Sequence, residues 1–227
     1  MPHYIDPTKV KVKKVEFLTH DVLRIVSERP ADLSYHAGQA VDVSINKEGW
    51  EDEARPFTFV SLPEEDYIEF NIKTYPSHHG VTEQLLSLKP DDELLIGEVF
   101  GDISYKGDGI FIAGGAGITP FTAILRKLEK ENKIGGNKLI FANRSRADII
   151  MKDYFENLLG DNFINVLSEE EAEGYEHGYL NAEMIKKYSD DKLKYYYLCG
   201  PDPMMDAVMK HLDSLGVEPE SIVREAF

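Results

Sequence analysis

Three short runs hold the residues whose chemistry is most readily named. Gly114-Gly115-Ala116-Gly117-Ile118-Thr119-Pro120 directly follows an apolar stretch. Glycines tolerate positive φ and let an anion approach the backbone closely. Thr119 is a good helix N-cap and Pro120 a good first helical residue, so a helix is expected to start there. Its unpaired N–H groups and dipole would favour a pyrophosphate. The run departs from G-x-G-x-x-G, because Pro120 stands where the third glycine would be. Cys199-Gly200-Pro201-Asp202-Pro203 repeats the arrangement, with Asp202 as the cap and Pro203 after it. Arg55-Pro56-Phe57-Thr58 sets a guanidinium, a ring and a hydroxyl side by side, with Arg55 and Phe57 on one face of an extended segment and Thr58 on the other.

The elements that must position these runs fall into two halves. Before residue 100 the pattern is of short strands: 9–17, 22–27, 40–45, 57–61, 67–74 and 93–96, with one helical stretch at 82–88 stopped by Lys89-Pro90. Strands of this kind predict an antiparallel β-barrel or sandwich. From Lys106-Gly107-Asp108-Gly109 onward, strands at 110–113, 138–142, 163–167, 195–199 and 221–225 alternate with helices at 120–131, 149–159, 182–188 and 203–215. That alternation predicts a Rossmann-like α/β domain, a parallel sheet with helices on both faces, and ligands bind such sheets beyond the carboxyl ends of their strands. The expected domains are 1–106 and 107–227. Both glycine turns then emerge at one edge of one sheet.

Composition narrows the classes. The 227 residues carry 41 acidic and 25 basic side chains, a net charge of −16, which argues against nucleic-acid or anionic-membrane binding. No apolar run approaches the roughly 18 residues of a membrane span, and the start has no secretory pattern, so a cytoplasmic protein is expected. One cysteine precludes an internal disulfide and a cysteine-held iron–sulfur cluster, leaving redox chemistry to an organic cofactor. Other features take plain readings. His78-His79 is read as loop rather than metal site, Tyr195-Tyr196-Tyr197 as a partly buried strand, and the methionines at 204, 205 and 209 as helix packing.

Together the runs resemble the ferredoxin–NADP reductase superfamily. Arg55-Pro56-Phe57-Thr58 is similar to its R-x-[YF]-[ST] flavin motif, and Ala37-Gly38-Gln39-Ala40-Val41 to its G-Q-x-V turn. Gly80-Val81-Thr82 resembles its flavin-phosphate loop, Gly115 to Pro120 its G-x-G-x-x-P loop, Cys199-Gly200-Pro201 its C-G-P strand end, and Glu225-Ala226-Phe227 its E-x-[YF] terminus. The six runs occur in the family's order.

The resemblance implies an FAD-dependent oxidoreductase that takes hydride from NAD(P)H and passes electrons to a separate acceptor such as a ferredoxin, flavodoxin or oxygenase component. It implies that Arg55 pairs with a flavin phosphate, with Pro56 beside it, that Phe57 stacks on the isoalloxazine and that Thr58 hydrogen-bonds near N5. Lys73 and Thr74 would line the ring edge, and Gly80, Val81 and Thr82 would hold the FAD pyrophosphate. Gly115, Gly117, Thr119 and Pro120 would serve the coenzyme phosphates, and Gly200, Pro201 and Asp202 would flank the coenzyme. Cys199 and Glu225 would border the nicotinamide, and Phe227 would cover the other flavin face. Thr58, Cys199, Glu225 and Phe227 are thus the expected catalytic set, with no metal.

Phe57 replaces the commoner tyrosine, and Gly97-Glu98-Val99-Phe100-Gly101 replaces the usual G-P-x-G. Where the family meets the 2′-phosphate of NADPH with a Ser-Arg pair, this chain has Ser168-Glu169, which favours NADH; Arg144 and Arg146 weigh towards NADPH. Alternatives are a reductase of free flavin, ferric chelates or quinones, a cofactor-binding regulatory subunit without turnover, and an electron-transfer subunit of a larger enzyme.

Overall fold

The computed structural model describes residues 7–225. The chain divides after Gly101 into two compact units, a little before the boundary expected near residue 106.

The first unit is built from β1 (Thr8–Phe17), β2 (Val22–Glu28), β3 (Ala40–Ile45), β4 (Arg55–Thr58), β5 (Tyr67–Lys73) and β6 (Glu93–Phe100). They form one antiparallel sheet in the order β4-β3-β6-β1-β2-β5. Period-two patterning sets its faces: Val10 and Val12 are buried while Lys9 and Lys11 are exposed. Val41, Phe59, Ile68, Phe70 and Leu94 make the core, and Tyr35 stacks on Phe59 at 4.0 Å.

The antiparallel fold expected of the first unit is borne out as one ladder of six strands, with β4 and β5 at its two ends and no strand pair among the described residues closing it into a barrel. The reason lies just after β4. Phe59 N–H still donates to Gln39 on the β3 side, but Val60 N–H donates to Glu69 of β5 at 2.9 Å. The chain therefore crosses from one end of the ladder towards the other within two residues, without extending a strand pair. This also moves β4 from the expected 57–61 to 55–58, and as an edge strand it accommodates Pro56, which lacks an N–H. β6 is longer than expected because Val99 and Phe100 pair with Val41 and Ala40. The expected helix at 82–88 is a four-residue α1 (Val81–Gln84) followed by a 3₁₀ turn, Leu85–Ser87.

The second unit contains β7 (Gly109–Gly114), α2 (Thr119–Lys130), β8 (Lys138–Asn143), α3 (Lys152–Leu159), β9 (Phe163–Leu167), β10 (Glu176–His177), α4 (Ala182–Tyr188), β11 (Tyr195–Cys199), α5 (Asp202–Ser214) and β12 (Ile222–Val223). Its sheet is wholly parallel, in the order β10-β9-β8-β7-β11-β12. β7 and β9 are buried along their whole lengths, as strands covered on both faces must be. Ile110, Ile140, Ile164 and Leu198 meet Ile185, Val208 and Leu212 of α4 and α5 in one core.

Tyr197 is fully buried and stacks on Phe111 at 4.2 Å. Its hydroxyl accepts the N–H groups of Lys106 and Gly107 and donates to the Gly107 carbonyl. The partly buried reading of the tyrosine run thus fits Tyr195 and Tyr196, not Tyr197. α3 starts three residues later than expected. Ser145 and Asp148 cap a 3₁₀ turn over Arg146–Asp148, and Met151 then adopts the left-handed conformation (φ +54°), which ends one turn before the next begins. β10, two residues long, has no counterpart among the expected strands. No helix among the described residues is long and apolar enough to cross a membrane.

Candidate functional site

β7 and β11 are neighbours in the parallel sheet, so the two glycine turns leave the same edge side by side. Their glycines do different work. A Cβ on Gly117 would lie 2.3 Å from the Cys199 carbonyl oxygen, and one on Gly114 would lie 2.3 Å from Met204 Sδ. Gly200 is less tight, a Cβ there lying 3.1 Å from the Gly114 backbone nitrogen. Gly117 lets the two loops meet backbone to backbone, and Gly114 admits the Met204 side chain. Gly115 differs: its φ is +50° and the space beyond it is open, so it turns the chain and leaves room for an anion.

Neither expected cap forms. Residues 115–118 make a 3₁₀ turn that runs straight into α2, so Thr119 is already helical and its hydroxyl donates back to the Ala116 carbonyl at 3.0 Å. Pro120 is buried behind it. Asp202 is the first residue of α5, Pro201 holds the cap position, and no side chain caps that helix. Both N-termini therefore keep their leading N–H groups clear of protein side-chain caps, which suits an anionic ligand better than a capped helix would.

Cys199 is a partly buried free thiol at the end of β11. Burial, and then the charge of Glu225, push its pKa up to about 12. Glu225 is held in turn by the Asp102 N–H, which donates to its Oε2 at 2.9 Å. Phe227 lies outside the described residues.

At the ends of β8 and β9 the structure brings together residues that are far apart in sequence. Ser168 N–H donates to the Asn143 carbonyl and Glu169 N–H to the Arg144 carbonyl, at 3.0 and 2.9 Å. Arg144 Nε lies 3.7 Å from Glu169 Oε1, with both side chains largely exposed. Arg146 pairs with Glu170, the next residue of the acidic run that begins at Glu169: its backbone N–H donates to Oε2 at 2.8 Å and its guanidinium to Oε1. These donations hold the Glu170 carboxyl below the usual carboxylate range. Beyond β10 stands Tyr179, 84% exposed, which sequence reading passed over.

In the first unit, Arg55 is half exposed. Its guanidinium donates to Glu53 at 3.2 Å and to the Ala54 carbonyl at 2.7 Å, partners that a flavin phosphate could replace without unburying a charge. Pro56 is exposed, and Phe57 is half-buried against the core, 6.5 Å from Phe70. Thr58 closes β4 opposite Ala40. The Lys73 ammonium is engaged with Asp21 at 2.8 Å, and Thr74 N–H and hydroxyl both donate to the Asp21 carbonyl. Lys73 and Thr74 are thus braced, leaving their backbone as the part able to line a ligand. A Cβ on Gly80 would make only an ordinary contact, 3.9 Å from the His78 carbonyl oxygen, and Gly80 precedes Val81, buried, and Thr82, partly buried, at the start of α1. His78 stacks on Tyr75 and His79 pairs with Glu83, so neither is read as a metal ligand.

A strand ladder carrying Arg55 to Thr58 and a parallel sheet with two uncapped helix starts at one edge define a flavin- and nicotinamide-handling oxidoreductase. Comparison with known proteins agrees. Residues 8–96 match the family described as an FAD-binding domain and residues 111–210 the oxidoreductase NAD-binding domain. NADH-cytochrome b5 reductase 1 of Aspergillus terreus is 32% identical over 90% of this chain and 76% of its own length. The propane 2-monooxygenase reductase component of Mycolicibacterium goodii is 29% identical over 98% of this chain and 68% of its own. The flavohem-like FAD/NAD-binding domain of nitric oxide dioxygenase from Vibrio cholerae shares the fold, with a TM-score of 0.85 over 98% of this chain and 99% of that one at 23% identity. The chain belongs to the ferredoxin–NADP reductase superfamily. It is an FAD-dependent NAD(P)H oxidoreductase.

The Cys199 environment has a direct consequence. Only the thiolate alkylates, so a pKa pushed up to about 12 leaves very little of it at pH 8. Folded protein is expected to react with iodoacetamide far more slowly than urea-unfolded protein at pH 8, with the rate climbing as pH approaches 12. Equal rates in the two states would contradict the assigned environment.

Proposed function

We propose that this chain is an NADH-selective reductase whose physiological acceptor is a separate redox protein. The observation that carries the coenzyme choice is the acidic run at the end of β9, where Glu169 and Glu170 lie against Arg144 and Arg146. A 2′-phosphate brought there meets carboxylates, whereas ribose hydroxyls can donate to them. The acceptor reading is supported by the relatives, one named as a cytochrome b5 reductase and another as the reductase component of a monooxygenase.

When bound, FAD supplies the chemistry of accepting two electrons as hydride and releasing them singly. The chain's own residues bind and orient. In this reading Arg55 neutralises a flavin phosphate, with Pro56 setting the local backbone, Phe57 offers its ring face and Thr58 a hydroxyl near the reacting edge. The backbone of Lys73 and Thr74 lines the flavin. Gly80, Val81 and Thr82 receive the FAD pyrophosphate, while Gly115, Gly117, Thr119 and Pro120 build the turn that receives that of the coenzyme. Gly200, Pro201 and Asp202 form its second wall, Ser168 and Glu169 take the adenosine ribose beside Arg144, and the exposed Tyr179 ring offers a face on which adenine could stack. Cys199 and Glu225 border the nicotinamide, with Phe227 assigned to the flavin face.

Two substitutions test these roles. Arg55→Ala is expected to weaken FAD retention by the worth of a charge-assisted hydrogen bond, about 1.5–3 kcal/mol or roughly ten- to a hundredfold. Nicotinamide affinity should stay unchanged. Isothermal titration of the apoprotein with FAD reads this, and undiminished affinity removes Arg55 from the phosphate. Glu169→Arg is expected to raise kcat/KM for NADPH relative to NADH by on the order of tenfold, since it exchanges a like charge for a phosphate partner. A wild-type protein that already prefers NADPH would defeat the coenzyme assignment.

A further inference from the structure

Asp21, the last residue of the turn between β1 and β2, holds the end of β5 with both its backbone and its side chain. Val22 pairs with Lys73 as the final rung of the β2–β5 ladder. One residue beyond, Thr74 N–H donates to the Asp21 carbonyl at 2.7 Å and its hydroxyl donates to the same oxygen at 3.0 Å. Thr74 is 3% exposed, so moving that carbonyl would strand two buried donors. From there the chain leaves the sheet at Tyr75 and turns through Pro76–His78 towards Gly80. The Asp21 carboxylate meets the neighbouring side chain: Oδ2 lies 2.8 Å from Lys73 Nζ, and Oδ1 accepts the Thr19 hydroxyl at 3.0 Å. The Lys73 and Asp21 side chains are only 25% and 21% exposed. Burial alone would push the Asp21 carboxyl up, but donation from Lys73, that ammonium's charge and the Thr19 hydroxyl hold it below its ordinary value. The two form a partly buried ion pair at neutral pH. His20 Nε2, 3.7 Å from the same carboxylate, is 60% exposed and screened by solvent.

We infer that Asp21 is a positioning residue for the flavin: its carbonyl fixes the Lys73–Thr74 backbone, and its carboxylate cancels the Lys73 charge beside the isoalloxazine. This rests on the proposed placement of Lys73 and Thr74 along the ring edge. A flavin gains negative charge as it takes up electrons, so a bare cation at that edge favours the reduced form. A carboxylate 2.8 Å from the cation opposes this. Asp21 thus keeps the bound flavin at a lower potential, and a stronger donor to the acceptor, than Lys73 alone would allow. The two roles are separable. Any residue at position 21 supplies the carbonyl that Thr74 uses, whereas the charge belongs to the carboxylate.

The test uses FAD-loaded protein, with the midpoint potential read by equilibration against a redox dye. Asp21→Asn keeps the side-chain shape and the carbonyl contact to Thr74 but removes the charge. It is expected to raise the equilibrium constant for flavin reduction by on the order of tenfold, a positive shift of about 30 mV for a two-electron couple. Lys73→Met is expected to move the potential the other way. The double variant exchanges an ion pair for a neutral pair, so its potential should return close to that of the wild type. It also leaves no charge buried unpaired, which keeps the test informative should either single variant fold poorly. A shift in Lys73→Met with none in Asp21→Asn would overturn the proposal while leaving Lys73 beside the flavin. An Asp21→Asn shift that persists undiminished in the double variant would overturn it too, because the carboxylate would not be acting through Lys73. No shift in any of the three would remove Lys73 from the ring edge, and the proposal falls with that placement.

Discussion

The carboxyl edge of the parallel sheet depends on a close contact between two loops. The loop leaving β7 and the loop leaving β11 come together because Gly117 carries no side chain against the Cys199 carbonyl and Gly114 none against Met204. An alanine at 117 would press its Cβ into the Cys199 carbonyl, and well-packed sites answer such insertions with shifts that cost about 1–3 kcal/mol. From this contact follow the starting points of α2 and α5 at adjacent strand ends, neither of them closed by a side-chain cap. Cys199 owes its place at the end of β11 to the same junction. The glycines of a nucleotide-binding turn are commonly credited to the phosphate they admit; here only Gly115, with its positive φ and open surroundings, has that geometry.

Charge acts at the same edge in the opposite sense from a phosphate-binding surface. The chain's net charge of −16 is not spread evenly in its effects. At the ends of β8 and β9 each arginine is met by a glutamate, and Ser145 by Asp148, so cations and backbone donors are locally matched before any ligand arrives. The helix N-termini of α2 and α5 are left without such partners. The edge therefore separates helix starts without side-chain caps from donors already satisfied by the protein's own carboxylates. Near such helix starts the local field is set by oriented amides rather than by net charge.

Much of this was legible in the residues, and the pattern of what was not has physical causes. β9, β11 and α4 fall where periodicity and turn residues place them: β9 is buried throughout, β11 buries Tyr197 and Leu198, and α4 turns Ile185 inward. β4 was displaced because its pairing is decided by Gln39 and Glu69, both distant in sequence, rather than by its own alternation. β10 has two residues and so no period to read. α3 was read as too long since Ile149 and Ile150 extend its apolar pattern, while the left-handed Met151 that breaks it has no sequence signature. At the site, residue types announced the anion-binding turns but misjudged the caps, since Thr119 and Asp202 entered the helices they were expected to cap. The pairing of Arg146 with Glu170 was invisible for another reason: the two are 24 positions apart and meet only because β8 and β9 are neighbours.

The account stands on the claim that one chain carries both an FAD and an NADH site competent for electron transfer. Anaerobic titration of the FAD-reconstituted protein with NADH tests this most directly, with absorbance of the oxidised flavin band as the readout. Bleaching of the band by a single equivalent of NADH, with NADPH markedly less effective at the same concentration, is the predicted result. A flavin that is bound but stays oxidised in excess NADH would contradict it.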